Sequence, residues 1–257
     1  MKQFVAVIAI ALLVAPTLRA ADNVETKMIT FKSGEEEVKG FLAMPKGKGP
    51  FPAIVVIQEW WGLNDWIKDN TKRLAEKGYV TLAPDLYRGE VADNPNKARQ
   101  LMMGLPRDRA LRDLKGAVDT LAKMDEVDKT KLGSIGWCMG GGYSLQLAIN
   151  DQRIKACAMC YGRVATDPKS LEKLEASVLG VFGEDDMGIK AADVRKFEDA
   201  LKTAGKKAEK ITIFKGAGHG FMREKNPKGD NPEYRADQAK QAWEDIDAFF
   251  AKTLQGK

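Results

Sequence analysis

Apolar residues along this chain fall into two patterns: short continuous runs, and stripes that recur every three or four positions. Ala53-Ile54-Val55-Val56-Ile57 is of the first kind, and Tyr79 to Ala83, Lys131 to Trp137, Ile154 to Tyr161, Val178 to Phe182 and Lys210 to Phe214 are strand-like runs of the same sort interrupted by polar residues or glycine. Such runs predict strands covered on both faces. Leu111, Leu114, Val118 and Leu121 are of the second kind and predict an amphipathic helix over Arg107 to Met124. Further helices are predicted from Asn64 or Asp65 through Leu74 and Lys77, around Lys97 to Met103, over Tyr143 to Ile149, over Ala191 to Ala204, and along Ala239, Trp243, Ile246 and Phe250. Ahead of these, Met28 to Phe31 and Val38 to Met44 flank a Ser33-Gly34-Glu35 turn and predict an antiparallel hairpin.

Strands alternating with helices predict an α/β fold: a mostly parallel, doubly wound sheet with helices on both faces, in one domain. In such sheets the ligand crevice lies outside the carboxyl ends of the strands. Four chemically loaded stretches follow directly after strands: Glu59-Trp60, Cys138-Met139, Asp185-Asp186 and Gly218-His219-Gly220. A parallel sheet brings all four to one edge.

The N-terminus breaks the alternation. Lys2 precedes an apolar stretch from Phe4 to Ala15, followed by Pro16 and the small pair Ala20-Ala21. This pattern predicts a signal peptide over residues 1–20, with a domain over 21–257 exported to a bacterial periplasm. The apolar stretch is short for a membrane span. No cysteine follows it, so no anchor is expected after cleavage. The formal charge is +5, and losing the cations Lys2 and Arg19 with no acid leaves +3. Charges of both signs are mixed throughout, with no basic run interleaved with aromatics, so nucleic acid is not expected as a partner. A monomer is expected.

Candidate chemistry centres on Gly136-Trp137-Cys138-Met139-Gly140, a G-x-C-x-G between a predicted strand and a predicted helix. This is the nucleophile-elbow pattern with cysteine in place of serine. A tight strand-to-helix turn strains the nucleophile's backbone and exposes its tip, and flanking glycines let neighbouring backbone pass close. The alternative is a glycine-rich turn with a buried cysteine. His219 is the only histidine, placed after the last strand among glycines, where an imidazole base is wanted. Gly183-Glu184-Asp185-Asp186 supplies an orienting carboxylate. Asp186 is favoured over Asp185 because it lies far enough past the strand to turn back. The order nucleophile, acid, histidine is that of the α/β-hydrolases. Cys157 and Cys160 have redox spacing, but on a strand residues three apart point to opposite faces. Both read as core positions, and an exported thiol oxidoreductase using them is the alternative to keep in view.

Together these residues resemble the dienelactone hydrolase family. The matching stretches are Gln58-Glu59-Trp60-Trp61-Gly62-Leu63-Asn64, Pro84-Asp85-Leu86-Tyr87, Gly136-Trp137-Cys138-Met139-Gly140-Gly141, Gly183-Glu184-Asp185-Asp186 and Gly218-His219-Gly220-Phe221. The resemblance runs from about Val38 to the C-terminus. It implies an α/β-hydrolase fold, a carboxymethylenebutenolidase-type ester or lactone hydrolase, and a triad of Cys138, Asp186 and His219. It also implies that Glu59 holds the resting thiol and helps to ionise it when substrate binds. Elbow geometry assigns the oxyanion to the backbone N–H groups of Met139 and Trp60. The resemblance gives Arg223 a substrate carboxylate to bind. A second such arginine is not placed, since Arg88 and Arg99 lie in a variable segment. Trp61, Tyr87 and Phe221, with Trp60, are candidates for an apolar substrate wall. The implied partner is a small ester or lactone, with no metal and no organic cofactor. A non-catalytic binding module on the same fold is a further alternative.

Overall fold

The structure is a computed structural model and describes residues 23–257. The expected signal peptide over 1–20 lies outside the described residues. An eight-stranded sheet runs in the order β1-β2-β4-β3-β5-β6-β7-β8. The hairpin is longer than its sequence pattern suggests: β1 (Val24–Ser33) pairs antiparallel with β2 (Glu36–Pro45) over its whole length. β2 is also antiparallel to β4 (Val80–Pro84). The remaining neighbours, β3 (Phe51–Ile57), β5 (Val127–Trp137), β6 (Ile154–Cys160), β7 (Ser177–Gly183) and β8 (Ala208–Phe214), are parallel. From β3 the chain goes to β4 on one side and then to β5 on the other. This is the reversal point at which doubly wound sheets open a crevice.

Helices fill both faces. α3 (Arg107–Ala122), α4 (Met139–Asn150) and α5 (Ala191–Thr203) cover one apolar cluster, which includes Leu114, Val118, Leu145, Phe182 and Phe197. α1 (Asp65–Glu76) and α6 (Ala236–Phe250) cover the other, with Ile67, Leu74, Trp137, Ile246 and Phe250. Asn64 caps α1, its Oδ1 accepting from the Ile67 N–H at 3.2 Å. α2 (Pro95–Met103) has proline in its first turn and Asn94 as its cap, at 3.0 Å from the Lys97 N–H.

Two further features differ from the sequence expectation. α4 begins at Met139, four residues before Tyr143, so the glycines lie within its first turn. Glycine is a poor helix former, which makes this stretch read as a turn. Packing overrides propensity here, because a Cβ on Gly140 would lie 2.3 Å from the Ile57 carbonyl oxygen. The second feature is a small antiparallel pair, β9 (Lys225–Asn226) with β10 (Gly229–Asp230), in a stretch without an alternating pattern.

Candidate active site

Strand register sets the site. Ile57 on β3 pairs with Gly136 on β5, which pairs with Met159 on β6. Two residues beyond this row lie Glu59, Cys138 and Tyr161, on three adjacent chains spaced about 5 Å apart. Cys138 is the middle one. Its φ of 54° and ψ of −118° are strained for a residue with a side chain. Three contacts hold it there. Its N–H donates to the Cys160 carbonyl at 3.0 Å, its own carbonyl accepts from the Gly141 N–H at 3.1 Å, and a Cβ on Gly136 would lie 2.2 Å from the Gly140 oxygen. α4 starts at the next residue with no side-chain cap. An uncapped helix N-terminus stabilises negative charge. Neither the Met139 nor the Trp60 N–H donates to another described residue outside regular helix and sheet bonds.

His219 and Asp186 come from the loops after β8 and β7. The His219 Nδ1 lies 2.7 Å from Asp186 Oδ2. The other oxygen of Asp186 accepts from the Gly188 and Ile189 N–H groups at 2.8 and 2.9 Å. Burial is the largest influence on this carboxyl and raises its pKa, but the bonds from His219 and the two amides overcome it, leaving a net lowering. Asp185 is exposed, so Asp186 is the carboxylate that meets the ring. Burial is also the largest influence on the imidazole, in the downward direction. The Asp186 bond and the Cys138 thiol outweigh it and lift the ring to about 10. The sulfur is thus within electrostatic reach of the ring, although the two do not form an aligned hydrogen bond. His219 keeps 41% of its side chain exposed, so water screens part of these effects.

Glu59 is 3% exposed. Burial pushes its carboxyl above the usual carboxylate range, while Arg223 and His219 pull it back. Arg223 Nη1 lies 3.2 Å from Glu59 Oε2, but off the axis of a hydrogen bond, so that oxygen keeps no aligned donor. Arg223 is itself buried, sits 5.1 Å from the Trp61 ring and bonds Asn226 Oδ1. In this state Arg223 faces Glu59, not an open pocket. Phe221 has no exposed surface and packs against Tyr161 and Phe214, so it is a core residue and not part of a substrate wall. Trp61 and Tyr87 are also buried. The Tyr87 hydroxyl lies 3.4 Å from Met139 Sδ, which places it under the elbow. Trp60 is half-buried and keeps an open face. Arg88 is engaged by Asp113 and Glu36, away from this rim, and Arg99 is exposed on α2.

Cys157 and Cys160 are free thiols without exposed surface. They belong to the apolar clusters on opposite faces of the sheet, as the strand period requires. Burial pushes Cys157 up to about 11 and also holds Cys160 well above the ordinary thiol range. Neither is placed to act as a thiolate. Among the described residues no group of three or more His, Cys, Asp or Glu side chains could hold a metal ion.

Sequence reading missed three contributors. Gln58 Oε1 accepts from the Leu86 N–H at 3.3 Å and ties the tip of β4 to that of β3. Asn231 Nδ2 donates to the carbonyls of Gly220 and Arg223, at 2.9 and 2.8 Å, and braces the histidine loop. Tyr161 sits edge-on to His219, with ring centroids 5.3 Å apart. The available signal for Tyr161 was positional: it directly follows the third strand of the same row and is followed by glycine.

The sequence profile of the Dienelactone hydrolase family matches residues 38–254. A protein from Methylorubrum extorquens bearing the name "Putative carboxymethylenebutenolidase" is 32% identical over 227 residues, covering 83% of this chain and 76% of the relative. A Salmonella typhimurium protein with the same name is 31% identical, covering 93% and 92%. Among solved structures, the "Putative Dienelactone Hydrolase" of Klebsiella pneumoniae superposes with a TM-score of 0.80 at 27% identity, over 90% of this chain and all of that one.

Proposed function

The chain belongs to the dienelactone hydrolase family, and from that premise we propose that it hydrolyses a carboxylic ester or lactone through a thioester on Cys138. The observation that carries this reading is the 2.7 Å contact between His219 and Asp186, beside a cysteine in strained elbow geometry. When substrate arrives, Glu59 takes the thiol proton. The thiolate attacks the carbonyl carbon, and the N–H groups of Met139 and Trp60 hold the oxyanion. Each such donor is typically worth about 3 kcal/mol of barrier. Asp186 and the Cys138 sulfur both raise the pKa of the ring, the sulfur most strongly as a thiolate, so the ring favours its protonated form once Glu59 has ionised the thiol. His219 therefore begins as the acid and gives that proton to the leaving oxygen. The neutral ring then takes a proton from water as water attacks the thioester. The thiolate departs, and Glu59 returns the thiol proton. Asp186, held by three hydrogen bonds, fixes the ring's orientation throughout.

We further propose that the mature protein is a periplasmic monomer cleaved after Ala20, which N-terminal sequencing and sedimentation of the exported protein would test. The catalytic test compares the wild type with Cys138→Ala and Cys138→Ser on activated aryl esters and on a dienelactone. Hydrolysis that survives Cys138→Ala at wild-type turnover would refute the thioester route. Inertness of the wild type toward the whole panel would favour a binding module.

A further inference from the structure

Tyr161 has three properties that simple packing does not explain. Its φ is 37°, one of three positive values among the described residues other than glycine. It has no exposed surface. Its hydroxyl meets no protein partner, although burying a hydroxyl without one is unfavourable. A phenylalanine would pack as well without that cost. The strained backbone is clamped from both sides. The Tyr161 N–H donates to the Val181 carbonyl at 2.6 Å. Gly162 is pressed against α4, where a Cβ would lie 2.3 Å from the Gly141 carbonyl carbon. Strain of this kind persists where the surrounding structure over-determines it, and it clusters at functional sites.

Register places Tyr161 and Glu59 on either side of Cys138, two residues beyond one row of the sheet. Glu59 Oε2 is the complementary orphan, a buried acceptor with no aligned donor. The charged and titratable groups around the pair are Arg223 and His219 for Glu59, and Cys160, Cys138 and Arg223 for Tyr161, with the His219 ring edge against the phenol. Glu59 is foremost among the charges acting on the phenol, so the phenol lies in the field of the carboxylate. We propose that Tyr161 is the positioning residue of Glu59: the two orphan groups do not meet in the resting arrangement, and a small side-chain movement brings the hydroxyl to donate to the carboxylate and hold it ionised beside the Cys138 thiol. The proposal deepens the thioester reading and rests on it in one respect, that Glu59 is the group which deprotonates the thiol. In that step the S–H bond breaks, an O–H bond forms on Glu59, and the electron pair stays on sulfur, so no other reactant is needed.

The test is the pH dependence of Cys138 alkylation by iodoacetamide, which needs no ester turnover, set beside the pH profile of ester hydrolysis. Tyr161→Phe removes a donor to a charged acceptor, and the acidic limb of both curves should move up by about one to two pH units. Thermal stability should hold or rise, because the hydroxyl has no partner to lose. Replacing Tyr161 with 3-fluorotyrosine keeps the hydroxyl and makes it a stronger donor, so the limb should move down. In a Glu59→Gln background, Tyr161→Phe should add no shift. Curves that superimpose on the wild type in both Tyr161 variants would overturn the proposal, as a hydroxyl that only packs or is solvated predicts. Shifted alkylation curves in a protein inert to every ester would sink the hydrolase reading and keep this one.

Discussion

Asp113 and Glu59 are both carboxylates with almost no exposed surface, and each lies beside an arginine, yet their surroundings are finished to different degrees. Asp113, on α3, accepts from Ser33 Oγ at 2.5 Å and from Arg88 Nη1 and Nη2 at 2.7 and 3.1 Å. Arg88 goes on to Glu36 at 2.8 Å. This network staples the hairpin, the tip of β4 and α3 together. Around Glu59 the groups are close but misaligned: Glu59 Oε2, Arg223 Nε, Tyr161 Oη and Trp61 Nε1 all lack partners. A saturated buried network rigidifies, whereas a partly satisfied one retains energy that a small movement can release. Two of the three positive-φ residues with side chains, Cys138 and Tyr161, lie at the unsaturated region, and the third, Arg88, lies in the saturated one. Backbone strain alone therefore does not separate the two. Unmet hydrogen bonding does.

The widest separation between the two regions should come from Asp186→Asn. The asparagine oxygen can keep the Gly188 and Ile189 amides, but its NH2 would donate to Nδ1 and force the wrong tautomer. Turnover should fall by about 10⁴-fold, with little change in the unfolding midpoint. A loss below tenfold in the kinetics would mean the carboxylate does not orient the ring. Asp113→Ala should do the reverse. Stability should fall by about 3 kcal/mol in chemical denaturation, because an arginine loses its buried partner but keeps Glu36 and some solvent. Activity per folded molecule should stay within about twofold of wild type, since nothing in that network touches the rim. A collapse of activity in folded Asp113→Ala would erase the distinction drawn here.

The smallest effect is a linkage. The His219 pKa is 6.5 for the free side chain and about 10 when folded. The folded state therefore binds the proton more tightly. The stability this contributes is fully present below about pH 6.5 and is lost as pH rises through about 10. Screening at a ring this exposed keeps it modest. Urea midpoints of wild type and His219→Gln should differ more at neutral pH than above pH 10. A gap that widens with pH would reverse the sign. As the only histidine, His219 gives a single imidazole resonance whose titration reads the same pKa directly.

Strand positions and the convergence of their tips were legible in the sequence, because apolar runs and stripes report burial on one or two faces. The separation of Cys157 from Cys160 followed from the period of a strand alone. The burial of Phe221 and the engagement of Arg223 by Glu59 were not legible. Both depend on how the loop after β8 folds back, and that loop is held by Asn231 and a two-residue strand pair that leave no periodic trace. The early start of α4 was hidden because three glycines read as a turn until the β3 carbonyls they pack against are known. Tyr161 was hidden for a similar reason: at the end of an apolar run it looks like core, and only the register shows that it flanks the sulfur.

The most direct measurement is intact-mass analysis of the wild type, mixed with an activated aryl ester and quenched in acid within the first turnovers. The account predicts one added acyl group, mapped to the peptide carrying Cys138 and released by neutral hydroxylamine. An enzyme that turns over the ester with no acyl adduct at any time, or with the adduct on another residue, would contradict it.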